Sequence, residues 1–303
     1  MKLIAPDYYR EFRCIADKCR HSCCIGWEID IDPDTREKYR RVPGDFGARL
    51  NASIEDGEVS TFRLGAGERC PMLNASGLCD LITALGEENL CQICADHPRF
   101  RSFFTDRTEI GLGLCCEEAA RLILTREAPM QLLAIEDDGA DEVLPEEEAD
   151  LLALCTELIA LLQDRTRSIE ARLDALLAAV DFAIPEQDWA AVYRGLERLD
   201  PSWDDALDTL ATPADSPAHL HIPLENFCVY MLYRHLPGAL EDDDIPGRVA
   251  FCVLSTRVLS ALCAAKEGCT ITDLIDFARM YSAEIEYSED NIAALLDALW
   301  EEA

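Results

Sequence analysis

Cys14-Ile15-Ala16-Asp17-Lys18-Cys19-Arg20-His21-Ser22-Cys23-Cys24-Ile25-Gly26-Trp27 is the stretch on which the reading of this chain turns. It places Cys14, Cys19, Cys23 and Cys24 in one short segment, with the spacing C-x4-C-x3-C-C. Adjacent cysteines such as Cys23 and Cys24 form a strained disulfide, but they suit two thiolates turning toward one inorganic centre. Working outward, the pairs Cys70/Cys79, Cys91/Cys94 and Cys115/Cys116 supply the remaining thiols. The first half therefore reads as a metal or iron–sulfur site with a helical body built onto it.

The chain has 303 residues, of which 49% are hydrophobic and 28% charged. That is a globular composition, long enough for one large domain or two ordinary ones. No apolar run is read as reaching the ~18 residues of a membrane span. Residues 1–10 contain no apolar h-region of a secretory signal, so the expected location is cytoplasmic, with no membrane partner. In that compartment clustered cysteines are more often metal ligands than disulfides. A reduced cysteine-rich core without metal is the plain alternative. Formal net charge is −32 and unevenly spread, with 17 Lys and Arg against 22 Asp and Glu in residues 1–127, and 10 against 37 beyond. Nucleic acid is a poor partner for such a field. A basic polypeptide or a lysine-bearing protein substrate would be attracted, although the same charge also serves solubility.

Along the chain, Trp27, Ile29 and Ile31 alternate with acidic residues, the period of a half-buried strand. Asp32-Pro33-Asp34-Thr35 predicts a helix N-terminus, and Pro43-Gly44 its end. Residues 44–68 read as loop, with short strands near Val59–Leu64. Cys70 and Cys79 flank an Asn74/Ser76/Gly77 turn that should bring them together. One or two helical turns follow from Asp80 to Leu85, stopped at Gly86. A second short helix over Glu87–Cys94 would put Cys91 and Cys94 on one face at i, i+3. Residues 100–114 suggest a hairpin. Cys115-Cys116-Glu117-Glu118 opens a helix to about Thr125, where the helix dipole favours thiolates. Tyr8, Tyr9 and Phe12 are placed to pack over the cluster. Residues 128–149 read as an acidic linker. Leu151, Leu154, Leu158, Leu161 and Leu162, then Ile169, Leu173, Leu176 and Leu177, begin a run of helical periodicity. Further helices are expected near 186–199, 203–210, 223–236, 246–265, 271–285 and 289–302. Cys155, Cys228, Cys252, Cys263 and Cys269 sit among apolar neighbours and read as small core residues.

Thiolate sulfur is soft and binds zinc or iron–sulfur clusters. Structural zinc sites favour two C-x2–4-C knuckles, and Cys91-x2-Cys94 is the one standard knuckle here. Irregular spacing and a surplus of thiols favour an iron–sulfur cluster, with zinc as the alternative. Cys19-x3-Cys23 lacks the third cysteine of the usual radical S-adenosylmethionine motif, because position 26 is glycine. Gly65/Gly67 and Gly111/Gly113 lie outside any βαβ frame, so they carry no nucleotide fingerprint. His21 and His97 sit beside cysteines but are unneeded where thiolates suffice. His219 and His221, between Pro213/Pro217 and Pro223, suit a loop. Arg99, after Pro98, is placed to bond a carboxylate. Trp27 is read as packing first and as a cation-binding face second.

Taken together, Phe12-x-Cys14-x4-Cys19-x3-Cys23-Cys24-x-Gly26-Trp27, Ile29-x-Ile31-Asp32 and Thr35-x3-Tyr39 resemble the flagellin lysine N-methylase family. The likeness continues through Cys70-Pro71-x-Leu73, Gly77-Leu78-Cys79, Leu85-Gly86-Glu87, Cys94-x2-His97-Pro98-Arg99 and Cys116-x-Glu118-Ala119-Ala120-Arg121-Leu122. It covers about the first 125 residues in one order. The chain is also similar to the wider group that carries a zinc- or iron-chelating Cys-rich domain. The resemblance implies a [4Fe–4S] cluster, one or two in number, and methyl transfer from S-adenosylmethionine (SAM) to a lysine of flagellin. Its metal positions here are Cys14, Cys19, Cys23, Cys24, Cys70, Cys79, Cys94 and Cys116. Cys91 and Cys115 are extras, His97 stands where the family has tyrosine, and Glu117 replaces a proline.

The expected fold is mostly α. A Cys-rich metal or iron–sulfur domain with short strands spans 1–127, an acidic linker 128–149, and an all-α domain 150–303. The expected function is SAM-dependent protein lysine N-methylation. A non-enzymatic iron–sulfur or zinc protein, for electron transfer or chelation, uses the same cysteines. Glu28, Asp30 and Asp32 are the carboxylates considered as the base that frees the lysine amine of its proton.

Overall fold

The computed structural model describes residues 1–139, 142–210 and 216–301, and these are mostly α-helical with two small sheets. The chain divides into two compact units. One comprises Arg13–Arg99 with Cys116–Glu118, and the other Met1–Phe12, Phe100–Cys115 and Ala119–Ala303.

In the cysteine-rich unit, the Asp32 signal is realised as read. Asp32 Oδ1 accepts from the Thr35 N–H at 2.9 Å, and Pro33 opens the Pro33–Arg40 helix. Asp32 Oδ2 accepts from the Gln92 N–H, also at 2.9 Å, so the same carboxylate caps the Gln92–Asp96 helix. A short antiparallel sheet, in the order Asp30–Ile31, Ser60–Phe62, Ile54–Glu55, backs these helices. Its core holds Ile29, Ile31, Tyr39, Leu50, Phe62 and Met72, each burial removing apolar surface from water at ~1.5–3 kcal/mol per large side chain. The buried Arg36 holds its guanidinium nitrogens 2.7 and 3.0 Å from the two Asp56 carboxylate oxygens.

Two expectations fail here. Residues 44–52 form a helix where loop was read, because Gly44 at φ +74° lets the chain reverse after Pro43 and start again. Cys91 lies outside the second short helix, in extended conformation as its N-cap. The Glu87–Asn89 turn and the Gln92–Asp96 helix are therefore separate.

The helical unit carries a four-stranded sheet, ordered Arg99–Phe103, Arg107–Leu112, Lys2–Pro6, Leu132–Asp137. Lys2–Pro6 runs parallel to Arg107–Leu112 and antiparallel to Leu132–Asp137. The stretch read as a linker thus contributes a strand, and Tyr8 and Phe12 are buried and belong to this unit. Gly111 is required by packing. A Cβ there would stand 2.2 Å from the tip of the Phe100 ring.

The helices fall close to the periodic segments: Glu146–Leu162, Ile169–Ala179, Trp189–Gly195, Ser202–Leu207, His221–His235, Ile245–Ala265, Ile271–Tyr281 and Glu289–Trp300. Ile245–Ala265 packs against four of the others and is the axis of the unit. By length and composition it is apolar enough to cross a membrane, which corrects the reading that no segment is, and it is largely buried within the protein. Pro213 lies outside the described residues. Where a loop was read, His219 lies in a 3₁₀ turn, Ala218–Leu220, and His221 opens the His221–His235 helix, and their rings bond the backbone carbonyls of Cys269 and Ser216.

Candidate functional site

Nine of the ten clustered cysteines belong to one unit, and the backbone explains how they meet. Ile25 bridges Arg69, and the Cys70 N–H donates to the Cys24 carbonyl at 2.8 Å, which sets Cys24 beside Cys70. The Asn74 side chain accepts from the Ser76 and Leu78 N–H groups and folds the chain back at Gly77, φ +76°. Leu73 then bridges Cys79, so Cys70 and Cys79 share one end of a tight loop, as the turn signal predicted. Cys70 and Cys91 are buried in the core, and Cys24, Cys79 and Cys94 pack against it.

Cys14 and Cys23 are exposed, and Cys19 and Cys116 half-buried. Arg20 donates to Glu117 through its backbone N–H and its side chain, both at 2.9 Å, and fastens this loop to the segment that carries Cys116. The Cys19 thiol lies 3.8 Å from Glu117 Oε2. Cys115 falls in the other unit, beside Tyr287 and Arg234. Among the described residues, no group of three or more His, Cys, Asp or Glu side chains is already drawn together to hold a metal ion.

The electrostatics follow from burial and from sulfur meeting sulfur. Two pairs each share a proton. The hydrogen bond with Cys24 raises the Cys23 thiol, and the same bond lowers Cys24 to about 7. In the second pair, the hydrogen bond lowers Cys91 and raises Cys94. Burial pushes Cys70 up to about 12 and raises Cys79, with the Ile82 and Leu81 N–H groups opposing the shift at Cys79. Burial also holds the His97 imidazole neutral, down to about 4, with its ring 6.0 Å from that of Trp27. Trp27 itself donates to the Cys23 carbonyl, so it packs over the first cysteine loop. Arg99 donates to the Ala95 carbonyl at 3.1 Å, a contact at the end of the Gln92–Asp96 helix.

Sulfur-only donors, some half-buried and some sealed in apolar surroundings, are chemically fitted to an iron–sulfur cluster. Beside the Gln92–Asp96 helix opens a cleft of about 600 Å³, lined among others by Asp30, Asp32, Arg36, Arg40, Glu58 and Asp96. Asp32 is unsuited to be a base. Burial would raise it, but the Gln92 and Thr35 N–H groups outweigh this and hold it low. Glu28 and Asp30 are exposed.

Two buried charged clusters in the helical unit went unnoticed in the sequence pattern. Glu225 is fully buried between Arg165 and Arg172, at 2.8 and 2.5 Å. Glu286 closes a π-helical turn, Ser282–Glu286, and accepts from the Tyr230 hydroxyl at 2.8 Å. His235 Nε2 lies 2.8 Å from the same Glu286 oxygen. Burial opposes its charge, but Arg234 and His235 hold Glu286 down at about 2.

No family model matches the chain, and no solved structure gives a significant match. Curated proteins do. The chain is similar to enzymes named lysine-N-methylase. It is 27% identical over 192 residues to those of Salmonella typhimurium and Salmonella choleraesuis, covering 59% of this chain and 46% of each relative. It is also 28% identical over 137 residues to the flagellar biosynthetic protein FliU of Salmonella muenchen, covering 42% of this chain and 79% of that protein. The chain thus spans about half the length of the lysine methylases it matches. The relationship is distant, and two of these relatives are named for lysine methylation and one for the flagellum.

Proposed function

We propose that this chain is a protein lysine N-methylase acting on flagellin or a similar protein, with SAM as methyl donor and an iron–sulfur centre held by its cysteines. The similarity to lysine-N-methylases carries the reading, and the thiols gathered in one unit support it. In such a transfer the carbon–sulfur bond of the sulfonium breaks, its electron pair stays on sulfur, and a nitrogen–carbon bond forms. The lysine amine must first lose its proton, so the site must lower its pKa or offer a base. The carboxylate-lined cleft beside the Gln92–Asp96 helix is a fitting approach for a lysine, with Asp30 as the acceptor on its wall. Cys14, Cys19, Cys23, Cys24, Cys70, Cys79, Cys94 and Cys116 would hold the iron. When bound, a cluster supplies redox-active, Lewis-acidic iron.

Protein purified and reconstituted anaerobically is expected to be brown, to contain iron and acid-labile sulfide, and to place label from methyl-labelled SAM on flagellin lysines, read by mass spectrometry. Iron and sulfide without SAM binding or lysine labelling would sink the enzymatic reading in favour of an electron-transfer module. Colourless protein with stoichiometric zinc alone would sink the cluster.

A further inference from the structure

The sheet of the helical unit ends on an open edge. Leu132–Asp137 pairs with Lys2–Pro6 on one side, and among the described residues no strand pairs with it on the other. The ladder shows which backbone groups face outward. The Asp7 N–H donates to the Gln131 carbonyl at 2.8 Å, and the Asp138 N–H to the Met1 carbonyl at 3.5 Å. Successive residues of an antiparallel strand turn their N–H and C=O groups toward the partner and away from it in alternation. Gln131, Leu133, Glu136 and Asp138 therefore face the chain that holds Lys2–Pro6. Leu132, Ala134 and Asp137 present their N–H and C=O groups to the outer edge. The phase changes at Ile135, where the register shifts, and the Arg10 guanidinium donates to the Ile135 carbonyl at 2.7 Å. Every residue of the strand except Ile135 is exposed, Leu132 and Leu133 among them. Edge strands are ordinarily guarded by lysine or proline, which keep other chains from adding to them. This strand has neither, and its charges are Glu136 and Asp137.

We propose that this edge is a docking strand, to which an extended, lysine-bearing segment of the protein substrate adds as a further strand. The inference rests on the methylase reading above and names how that substrate is held. In strand addition the unpaired backbone groups give affinity and the side chains give selectivity. Here Leu132 and Leu133 offer apolar contact at one end of the strand. Glu136 and Asp137 call for lysine or arginine at the other, since opposite charges across a strand pair attract and like charges repel. A second copy of this chain is the disfavoured occupant, because each copy brings a net charge of −32.

Two probes keep the docking strand apart from the methylase reading: monomeric flagellin, and a short synthetic peptide of alternating valine and lysine. Both are titrated against full-length protein. When either binds, residue-resolved amide exchange is expected to slow at Leu132, Ala134 and Asp137 and to stay unchanged at Leu133 and Glu136. Ala134→Pro removes an outward N–H without altering charge or the ladder to Lys2–Pro6, and should weaken both probes about tenfold. Glu136→Lys combined with Asp137→Lys should weaken both at least about tenfold, and most at low salt. A peptide of alternating valine and glutamate should not bind. A lysine peptide that does not bind wild type, that binds both variants equally well, or that leaves the three amides exchanging as before would overturn the docking strand. So would a wild-type dimer that Ala134→Pro converts to monomer, because a second copy would then fill the edge. Flagellin lysines labelled by both variants at the wild-type rate and KM would remove the docking strand and leave the methylase standing. Peptide binding at this edge without any flagellin labelling would keep the strand as a site for a basic partner and sink the methylase.

Discussion

Serine at Cys94 or at Cys116 is expected to strip iron from the protein, and serine at Cys91 or Cys115 to leave it bound. At each later pair the expectation rests on the resemblance, which takes in Cys94 and Cys116 but not Cys91 and Cys115. Cys115 belongs to the helical unit and faces Tyr287, whereas Cys116 acts on Cys23. Cys94 has Cys91, Cys24 and Cys70 as neighbours, and Cys91, which hydrogen-bonds to it, also acts on Cys70, so the choice of Cys94 over Cys91 follows the resemblance. The effect should be large at Cys94. Structural metal sites contribute on the order of 10 kcal/mol to folding, comparable to the ~5–15 kcal/mol that holds a whole domain together. Losing the metal there should therefore disorder the cysteine-rich unit, visible as faster proteolysis of residues 13–99. Iron lost at 91 and 115 but kept at 94 and 116 would mean that the ligand set is misaligned by a few residues.

Glu225→Gln is expected to be the most damaging single change in the helical unit. Glu225 is fully buried, and Arg172 beside it is buried nearly as deeply, with Arg165 as a second, partly exposed cation. A neutral amide leaves the Arg172 charge uncompensated in the interior, which costs about 3–5 kcal/mol. For a unit of this size that lowers the melting temperature by about 10 °C. Replacing both partners with apolar residues, Glu225→Leu with Arg172→Met, should recover most of the loss, because well-packed apolar side chains substitute for a buried ion pair at little net cost. A Glu225→Gln protein that melts with the wild type would show that the cluster contributes nothing to stability.

What was legible in the sequence was local. Asp32-Pro33 announced a helix start, because a cap and its helix lie within four residues. The Leu151–Leu162 and Ile169–Leu177 periods announced helices, because one face of each is buried along its whole length. The Asn74–Gly77 turn announced the meeting of Cys70 and Cys79 for the same reason. What was hidden depended on distant partners. Lys2–Pro6 pairs with strands more than a hundred residues away, so neither it nor Leu132–Asp137 stood out. Glu225 sits in a helix where a glutamate ordinarily faces water, and its two arginines come from 53 and 60 residues earlier. The thiol count was plain, but how the thiols are brought near one another was not. Cys24 meets Cys70 through the Ile25–Arg69 bridge, and Arg20 ties the first loop to Glu117, and neither contact has a sequence signature.

Asp32 carries a further lesson about interchangeability. Serine, threonine, asparagine and aspartate are near equals at helix starts, because each offers one oxygen to one N–H group. Here both oxygens of a single carboxylate are engaged, one on each of two helices sixty residues apart in the chain. Asparagine, the closest isostere, keeps one acceptor and turns an amide donor toward the other N–H group. A residue that substitution tables treat as replaceable is thereby made singular, and the helix that presents Cys94 is tied to the same carboxylate that starts the Pro33–Arg40 helix.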